Sequence, residues 1–394
     1  MLALVIACLI ASTHAIAGEF KLTGSIATES RVFWEHARFA GQHGVNGSFS
    51  AQPEFYYETE NERDSVLFTP FIRIDQGDSR RTHVDIRELT WVRAADTWEF
   101  RAGIRRVFWG VAESNHLVDV INQTDLIENI DSEDKLGQPM LNLALIRAWG
   151  TVDFFVLPGF RERTFPGKAG RLRSEPRVDA SSATYESAAE NKHVDYAVRY
   201  SHVLGNFDLG IYHFWGTSRE PELRARSSEA GPLMLAPHYA LIHQTGLDVL
   251  YTVGNWSLKL EALRRSGQGE TFGGMVGGFE YTIVGVMGGI WDLGLLAEYH
   301  GDDRGRAAPH PFNHDGFLGA RLAINDPADT QLLTGVVTDL RGEGRFFNLE
   351  LSRRLGERWK IELETRVFWS ARPVGPLFFF ERDDYLQFQL SRYF

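Results

Sequence analysis

The sequence 385-YLQFQLSRYF-394 ends the chain and has a period of two. Leu386, Phe388 and Leu390 alternate with polar residues, and the alternation runs on to the terminal Phe394. Side chains in a strand point alternately to two faces, whereas those of a helix repeat every 3.6 residues. The segment therefore predicts a β-strand with one apolar face and one polar face.

Four other segments show the same alternation. They are 46-NGSFSAQPEFYYET-59, 193-HVDYAVRYS-201, 256-WSLKLEAL-263 and 359-WKIELETRVF-368. Segments of about ten residues are long enough to cross a bilayer at a tilt, and a water-filled lumen accepts charged side chains on the polar face. A soluble β-sandwich also alternates, but it tends to use more compact strands. The pattern predicts an all-β fold, a transmembrane antiparallel up-and-down β-barrel.

Tight turns alternate with long polar loops along the chain, as in barrels with short turns on one rim and long loops on the other. Turns of this kind occur at 204–206, 253–255 and 355–357. We predict about 18 strands, with 16 as the alternative, and both chain ends on the short-turn rim. The expected strands begin near residues 20, 46, 65, 83, 98, 139, 150, 193, 206, 238, 256, 272, 290, 314, 331, 345, 359 and 383.

The composition argues against membrane helices. Hydrophobic residues make up 43% of the 394 residues, and the mean hydropathy of −0.23 is too polar for a helical membrane bundle. The most apolar internal stretch, 272–299, is interrupted by Glu280 and Asp292 and is dense in Gly, which disfavours a helix. We interpret it as two Gly-rich strands joined by a turn near 286–289.

The first seventeen residues, MLALVIACLIASTHAIA, form a short apolar run that ends in a small-x-small sequence. This predicts a signal peptide over 1–17 with cleavage before Gly18, although no Lys or Arg precedes the apolar run. An upstream start codon would reopen a lipoprotein interpretation of Cys8. Residues 1–17 contain no Asp, Glu, Lys or Arg, so their removal leaves a net charge of −11, which argues against nucleic acid as a partner.

The final strand resembles the C-terminal signature of bacterial outer-membrane proteins, in which a last strand ends in Phe. The resemblance implies that the barrel assembly machinery reads the strand ending at Phe394. It also implies a place in the bacterial outer membrane, in contact with its lipids and lipopolysaccharide. Arg392 departs from the signature, because an aromatic residue is more usual there.

The interval 109–138 breaks the rhythm of the barrel. Its run 115–130 has apolar residues at spacings that predict short helical turns. A loop this apolar would be poorly soluble if it were free, so we expect it to fold into the lumen as a constriction or plug within one barrel domain spanning 18–394. Its acidic residues lack the spacing of an EF-hand calcium site, and a solvated or Arg-paired loop is the alternative to calcium binding.

Two motifs at this interval resemble a family of little-characterised proteobacterial porin-like proteins. That family has a G-R-Q-x-x-x-W-G strand end followed by N-x-x-D-L, and here 103–110 and 119–126 occupy those places. Arg106 stands where Gln is expected, and Thr124 stands where Pro is common. The resemblance covers about a tenth of the chain and implies a monomeric barrel whose inserted loop carries the matching residues Trp109, Gly110, Asn122 and Asp125.

Charged residues on the polar strand faces are the candidates for lining the pore. We assign to the lumen Glu99, Arg101, Arg105, Arg199, Lys259, Glu362, Glu364 and Arg366. Opposed rows of charge can sort solutes by charge and size, with Arg101 and Arg105 expected at the narrowest point. The alternative is that neighbouring rows neutralise one another and stiffen the wall.

These observations predict a porin-like channel for passive diffusion of small polar or amphipathic solutes. A plugged barrel acting as a receptor or scaffold is the alternative, and a hydrolase is a further one. No catalytic residue is assigned, because no spacing singles out a triad and no G-x-S-x-G occurs. No cofactor or metal is assigned either, since the His and Asp residues of 300–315 are irregularly spaced. The basic stretch 161–177 is either a solvated loop or a clamp for lipopolysaccharide phosphates.

Overall fold

The computed structural model describes residues 18–227, 232–370 and 377–394, so the signal peptide expected at 1–17 lies outside the described residues. In the described part, 18 antiparallel strands form one barrel, which is closed because the first strand pairs with both the second and the last. Three further strands, β8, β11 and β12, form a small sheet in the loops. In chain order the strands are β1 (Gly18–Phe33), β2 (Val45–Thr59), β3 (Asp64–Asp75), β4 (His83–Ala95), β5 (Trp98–Arg105), β6 (Gln138–Arg147), β7 (Gly150–Pro158), β8 (Thr184–Tyr185), β9 (Val194–Leu204), β10 (Phe207–Thr217), β11 (Glu222–Arg226), β12 (Met234–Tyr239), β13 (Leu241–Val253), β14 (Trp256–Gly267), β15 (Gly269–Ile283), β16 (Trp291–Asp302), β17 (His314–Ile324), β18 (Thr330–Asp339), β19 (Gly344–Leu355), β20 (Trp359–Ser370) and β21 (Tyr385–Tyr393).

The predicted strand order is confirmed, with 18 strands rather than 16. Every predicted start lies within three residues of an observed one. The stretch 272–299 is two strands, β15 and β16, joined across a short 3₁₀ turn at Val286–Gly288, as expected. Among the described residues, no helix is both long enough and apolar enough to cross a membrane.

One rim of the barrel has tight turns because glycine occupies positions that need a left-handed backbone. Gly205 (φ +61°) and Gly254 (φ +57°) stand in the turns β9–β10 and β13–β14, as two-residue hairpins require. The longest connections, 106–137, 159–193 and the one between β10 and β13, all leave from the opposite rim. The two rims therefore differ in the way expected of an outer-membrane barrel.

The outer wall has an apolar belt with aromatic edges. On β20 the outward positions run from Trp359 to Trp369, both about half exposed, while inward Arg366 between them is buried. Ten residues span about 33 Å along a strand, which at a tilt of about 40° gives a belt about 25 Å tall. That is the height of the hydrocarbon layer crossed by an outer-membrane barrel.

Candidate functional site

The connection between β5 and β6, residues 106–137, folds into the barrel, and we call it the constriction loop. Its two ends are tied together by the side chain of Asn122, which is 1% exposed. The Asn122 side chain accepts from the backbone N–H of Val107 and donates to the carbonyls of Arg105 and Leu136, each at 2.8 Å. The predicted inward loop is thus present and closed at its base.

Apolar packing holds the first part of the constriction loop against one side of the wall. Val118 and Ile121 are fully buried in a cluster with wall residues of β6, β7, β9, β10 and β13. The ring of Trp109 lies 4.7 Å from that of Tyr212 and 5.7 Å from that of Phe155. Because apolar side chains fill this part of the lumen, water and solutes are excluded from it.

A buried carboxylate on β14 binds the loop backbone. Glu261 is 0% exposed and accepts from the N–H groups of Val111 at 2.6 Å, Ala112 at 2.8 Å and Val118 at 3.1 Å. Gly110 has a φ of +113°, and a Cβ there would lie 2.6 Å from Glu261 Oε1. Only glycine therefore lets the loop approach this carboxylate.

A second wall carboxylate, Glu298 on β16, binds the next segment of the loop. It accepts from the N–H of Glu113 at 2.8 Å and from the N–H of Ser114 at 2.9 Å. The Ser114 hydroxyl contacts the same carboxylate and lies 2.7 Å from His300 Nε2. Glu261 and Glu298 together hold residues 111–118 against the wall, and we call this pair the carboxylate latch.

The later part of the loop is held by ion pairs on the other side of the barrel. Asp125 accepts from Arg87 of β4 at 2.8 Å and from Thr164 at 2.8 Å. Arg73 of β3 pairs with Glu128 at 2.7 Å. The carbonyl of Asp125 also accepts from the N–H groups of Glu128 and Asn129, which forms one hydrogen-bonded turn. The described residues 106–137 contain no helix, so the short helical turns expected over 115–130 are present only as isolated hydrogen-bonded turns.

A cavity of about 1330 Å³ remains between the free edge of the constriction loop and the wall of β15–β20. At two points that border the cavity the loop contacts the wall: Arg321 Nη2 lies 2.5 Å from Glu113 Oε2, and Arg366 Nη2 lies 2.7 Å from Asp131 Oδ2. Charged residues of the loop and of the wall line this cavity, among them Glu113, His116, Asp131, Glu133, Arg321, Glu350 and Arg366. Both signs of charge are therefore present along it.

The free edge of the loop carries groups with shifted pKa values. Burial opposes protonation of His116, but a 2.7 Å hydrogen bond to Glu133 outweighs it and raises the pKa of His116 to about 9. Burial, reinforced by the nearby carboxylates of Asp131 and Glu128, raises the pKa of Asp134 to about 7. At neutral pH, His116 is a cation and Asp134 is about half protonated.

Three carboxylates beside the path share one guanidinium. Carboxylate oxygens of Asp131, Glu350 and Glu364 lie within 4.8 Å of one another. Arg366, which is 1% exposed, lies 2.7 Å from Asp131, 3.5 Å from Glu350 and 3.0 Å from Glu364. The guanidinium supplies the positive charge that such a cluster needs.

The predicted lumen residues lie on inward strand faces, and each is paired there. Arg101 contacts Glu99 and donates to Asn142 at 2.7 Å, and Arg105 donates to Asn142 at 3.3 Å. The other contacts are Arg199 with Asp248, Lys259 with Glu113 and Glu280, Glu362 with Lys360 and Gln389, and Glu364 with Arg366 and Tyr385. Of the eight, Arg366 lines the cavity beside the loop. A role of the others in selectivity stays a prediction.

The basic stretch 161–177 is folded over the lumen. The expectation that this stretch is a solvated loop is wrong for its central arginines, Arg171 and Arg173, which are buried. The guanidinium of Arg171 contacts Asp383 and lies 4.3 Å from the centre of the Phe33 ring. That of Arg173 lies 4.0 Å from the centre of the Phe39 ring. Carboxylate and aromatic partners offset the loss of hydration for these two side chains.

Sequence reasoning missed the carboxylate latch and Arg321. Glu261 has its loop partners 143–150 residues away in sequence, and these partners are backbone groups that any residue provides. Glu298 gave one usable signal, since it is a charged residue within an apolar, Gly-rich stretch. A charge in such a stretch has to face the lumen of a barrel.

Comparison with solved structures identifies the fold. The crystal structure of Pseudomonas aeruginosa OccK5 (OpdH) matches with a TM-score of 0.54 at 10% identity, covering 96% of this chain and 97% of that one. A BenF-like porin from Pseudomonas fluorescens Pf-5 matches with a TM-score of 0.55 at 9% identity, covering 96% and 98%. No protein-family profile and no curated protein matches the chain. The protein has the closed 18-stranded barrel fold of bacterial outer-membrane porins.

Proposed function

We propose that the protein is a porin-like channel of the bacterial outer membrane that passes small polar or amphipathic solutes by passive diffusion. The observation that carries the proposal is a constriction loop fastened across the lumen that still leaves a cavity of about 1330 Å³ along β15–β20. A barrel whose loop narrows the lumen without filling it limits solutes by size. The hydrolase alternative is less well supported: Ser114 Oγ lies 2.7 Å from His300 Nε2, but none of the described residues hydrogen-bonds His300 Nδ1 to orient the imidazole as a base.

The charges beside the cavity are suited to sorting solutes. Arg321 and Arg366 stand on the wall, while Glu113, Asp131 and Glu133 stand on the loop edge. Arg321 contacts Glu113 and Arg366 contacts Asp131, so these pairs border the path, and their charges act on the ions and dipolar solutes that pass beside them. Aromatic side chains also line this cavity and suit an amphipathic solute, among them Phe272, Phe312, Phe317, Phe346 and Phe368.

The same proposal includes export and assembly. We expect removal of 1–17, delivery to the outer membrane and recognition of the strand ending at Phe394 by the barrel assembly machinery. The outward Leu386 and Phe388 on β21 are both exposed, as a lipid-facing final strand requires. Outer-membrane lipids and lipopolysaccharide are then the surroundings of the barrel.

The proposal is tested by single-channel recording of refolded 18–394 in a planar bilayer, with reversal potentials in a salt gradient. We expect a stable conductance, and a shift of selectivity toward cations in Arg321→Gln, because Glu113 then loses its nearest cation. Arg345→Gln is the matched control, since its neighbours Gly344 and Phe346 line the cavity and Arg345 itself points outward. Folded protein that stays silent would refute the channel and favour a plugged receptor.

A further inference from the structure

Near the long-loop rim, the outer wall formed by strands β10, β13 and β14 carries polar residues. Leu263 and Arg265 line the lumen cavity, so Arg264 between them points outward. By the same alternation His213 lies between the buried residues Tyr212 and Phe214, and His243 lies between the buried residues Ile242 and Gln244. On the side toward the short-turn rim, the outward positions are apolar, at Ile211, Leu247 and Ala262.

The polar outward residues are neighbours, and we call His213, His243, Thr245 and Arg264 the outer-wall cluster. His213 Nδ1 lies 2.7 Å from the Thr245 hydroxyl, which leaves His213 Nε2 free. Thr245 and Arg264 are direct cross-strand partners, and the rings of His213 and His243 are 6.2 Å apart. The ring of Trp215 lies 4.1 Å from that of His213, and Trp is the residue that marks a membrane interface.

Arg264 is exposed, and none of the described carboxylates forms an ion pair with it. It stands eight residues after Trp256, the aromatic residue that begins the outward stripe of β14. On β20 the position eight residues after Trp359 is Val367, which is still within the apolar belt. A lipid-facing arginine is costly in the belt and becomes tolerable only near the interface. An anion from the membrane that pairs with Arg264 would offset the remaining free-energy cost of placing this charge against lipid.

We propose that the outer-wall cluster binds a phosphate of a lipid in the outer leaflet, that is, of lipopolysaccharide. The guanidinium of Arg264 matches a phosphate with two parallel hydrogen bonds, and His213 Nε2 and the His243 ring add donors. A second copy of this chain docked through the same face is a poorer partner for Arg264, because the outward positions of β10, β13 and β14 include no Asp or Glu. The carboxylate of Asp303, beside Gly273, the cross-strand partner of Arg264, already accepts from the Gly273 N–H at 2.8 Å. A lipid phosphate supplies the missing charge.

The test uses the refolded 18–394 protein in detergent micelles, titrated with diphosphoryl lipid A and followed by native mass spectrometry. We expect binding to weaken at least about tenfold in Arg264→Gln, because the amide keeps only one neutral hydrogen bond in place of two charge-assisted ones. The double variant His213→Ala/His243→Ala should also bind lipid A more weakly than the unchanged protein. Arg93→Gln is the matched control, because Arg93 is an exposed arginine near the short-turn end of β4, at the opposite rim.

Unchanged binding in Arg264→Gln overturns the proposal, and so does equal binding of lipid A that lacks phosphate. Inorganic phosphate that binds as tightly as lipid A would overturn the assignment to a lipid. A changed oligomeric state with unchanged lipid binding would make this face a protein interface instead. Folding is checked by heat-modifiable migration in gels, and Arg264→Gln should keep the wild-type conductance because the residue faces away from the lumen.

Discussion

Replacing Glu261 by glutamine should loosen the constriction loop while leaving the barrel intact. The carboxylate accepts three backbone N–H groups, two at Oε1 from Val111 and Ala112 and one at Oε2 from Val118. In Glu261→Gln the remaining carbonyl oxygen can accept only the first two. The new amide group is itself a donor, so it opposes the N–H of Val118.

The magnitude follows from the change in these three bonds. A hydrogen bond to a charged group contributes about 1.5–3 kcal/mol and one between neutral groups about 0.5–1.5 kcal/mol, so two weakened bonds and one lost bond amount to about 4 kcal/mol. Desolvating a buried carboxylate costs several kcal/mol, which the neutral amide partly avoids. We take the free energy that holds the loop against the wall to fall by about 2 kcal/mol, which raises the population of molecules with a detached loop about 30-fold.

Single-channel recording measures this population directly, as the fraction of time spent in states of higher conductance. We expect Glu261→Gln to spend about 30 times longer there than the unchanged protein. Glu362→Gln is the matched control, because Glu362 also faces the lumen, but its hydrogen-bond partners among the described residues are the wall residues Lys360 and Gln389. Identical recordings from folded Glu261→Gln and unchanged protein would show that the carboxylate latch does not hold the loop.

Two further predictions concern the same loop. The pKa of Asp134 in the folded loop, about 7, lies above its ordinary 3.8, so protonation favours the folded loop and loop stability falls as the pH rises toward and through 7. Conductance noise should therefore increase from pH 6 to 8, and this pH dependence should be lost in Asp134→Asn. Noise that rises on acidification would contradict the sign. Gly110→Ala adds a Cβ 2.6 Å from Glu261 Oε1 at a φ of +113°, so the loop should be destabilised by about 1–3 kcal/mol. The measurement is protease cleavage within 106–137, which should increase relative to the control Gly44→Ala, where a Cβ meets no atom closer than 4.0 Å.

The strands could be predicted from the sequence because their signal is local. Alternation in 359–368 and the turn glycines Gly205 and Gly254 act over a few residues, so a single sequence contains them. The inward direction of the constriction loop was also predictable, because its apolar residues need burial. The side of the lumen that the loop occupies was not, since it depends on wall residues from distant strands, such as Tyr212 and Phe155.

The contacts of individual lumen residues could not be predicted either, because strand parity gives the face of a residue and not its neighbours. Arg101 and Arg105 were expected at the narrowest point, yet they bind Asn142 on the neighbouring strand β6. Arg321 was not singled out, although it forms a salt bridge with Glu113 of the constriction loop. Which lumen charge contacts the constriction loop depends on where its strand lies around the barrel. The alternation of residues along a strand does not contain this information.

Pairing changes how the charges of the pore should be counted. Arg366 was expected to present a positive charge to solutes, but it is buried among the carboxylates of Asp131, Glu350 and Glu364. With one cation among three acids, this side of the path attracts cations once the acids are ionised. Arg163, higher in the same cavity, donates to Gln123 and to a backbone carbonyl, and none of the described carboxylates forms an ion pair with it. For the proposed channel we therefore expect a solute that carries both signs of charge to meet complementary groups at these two places, whereas an ion of one sign is attracted at one of them and repelled at the other.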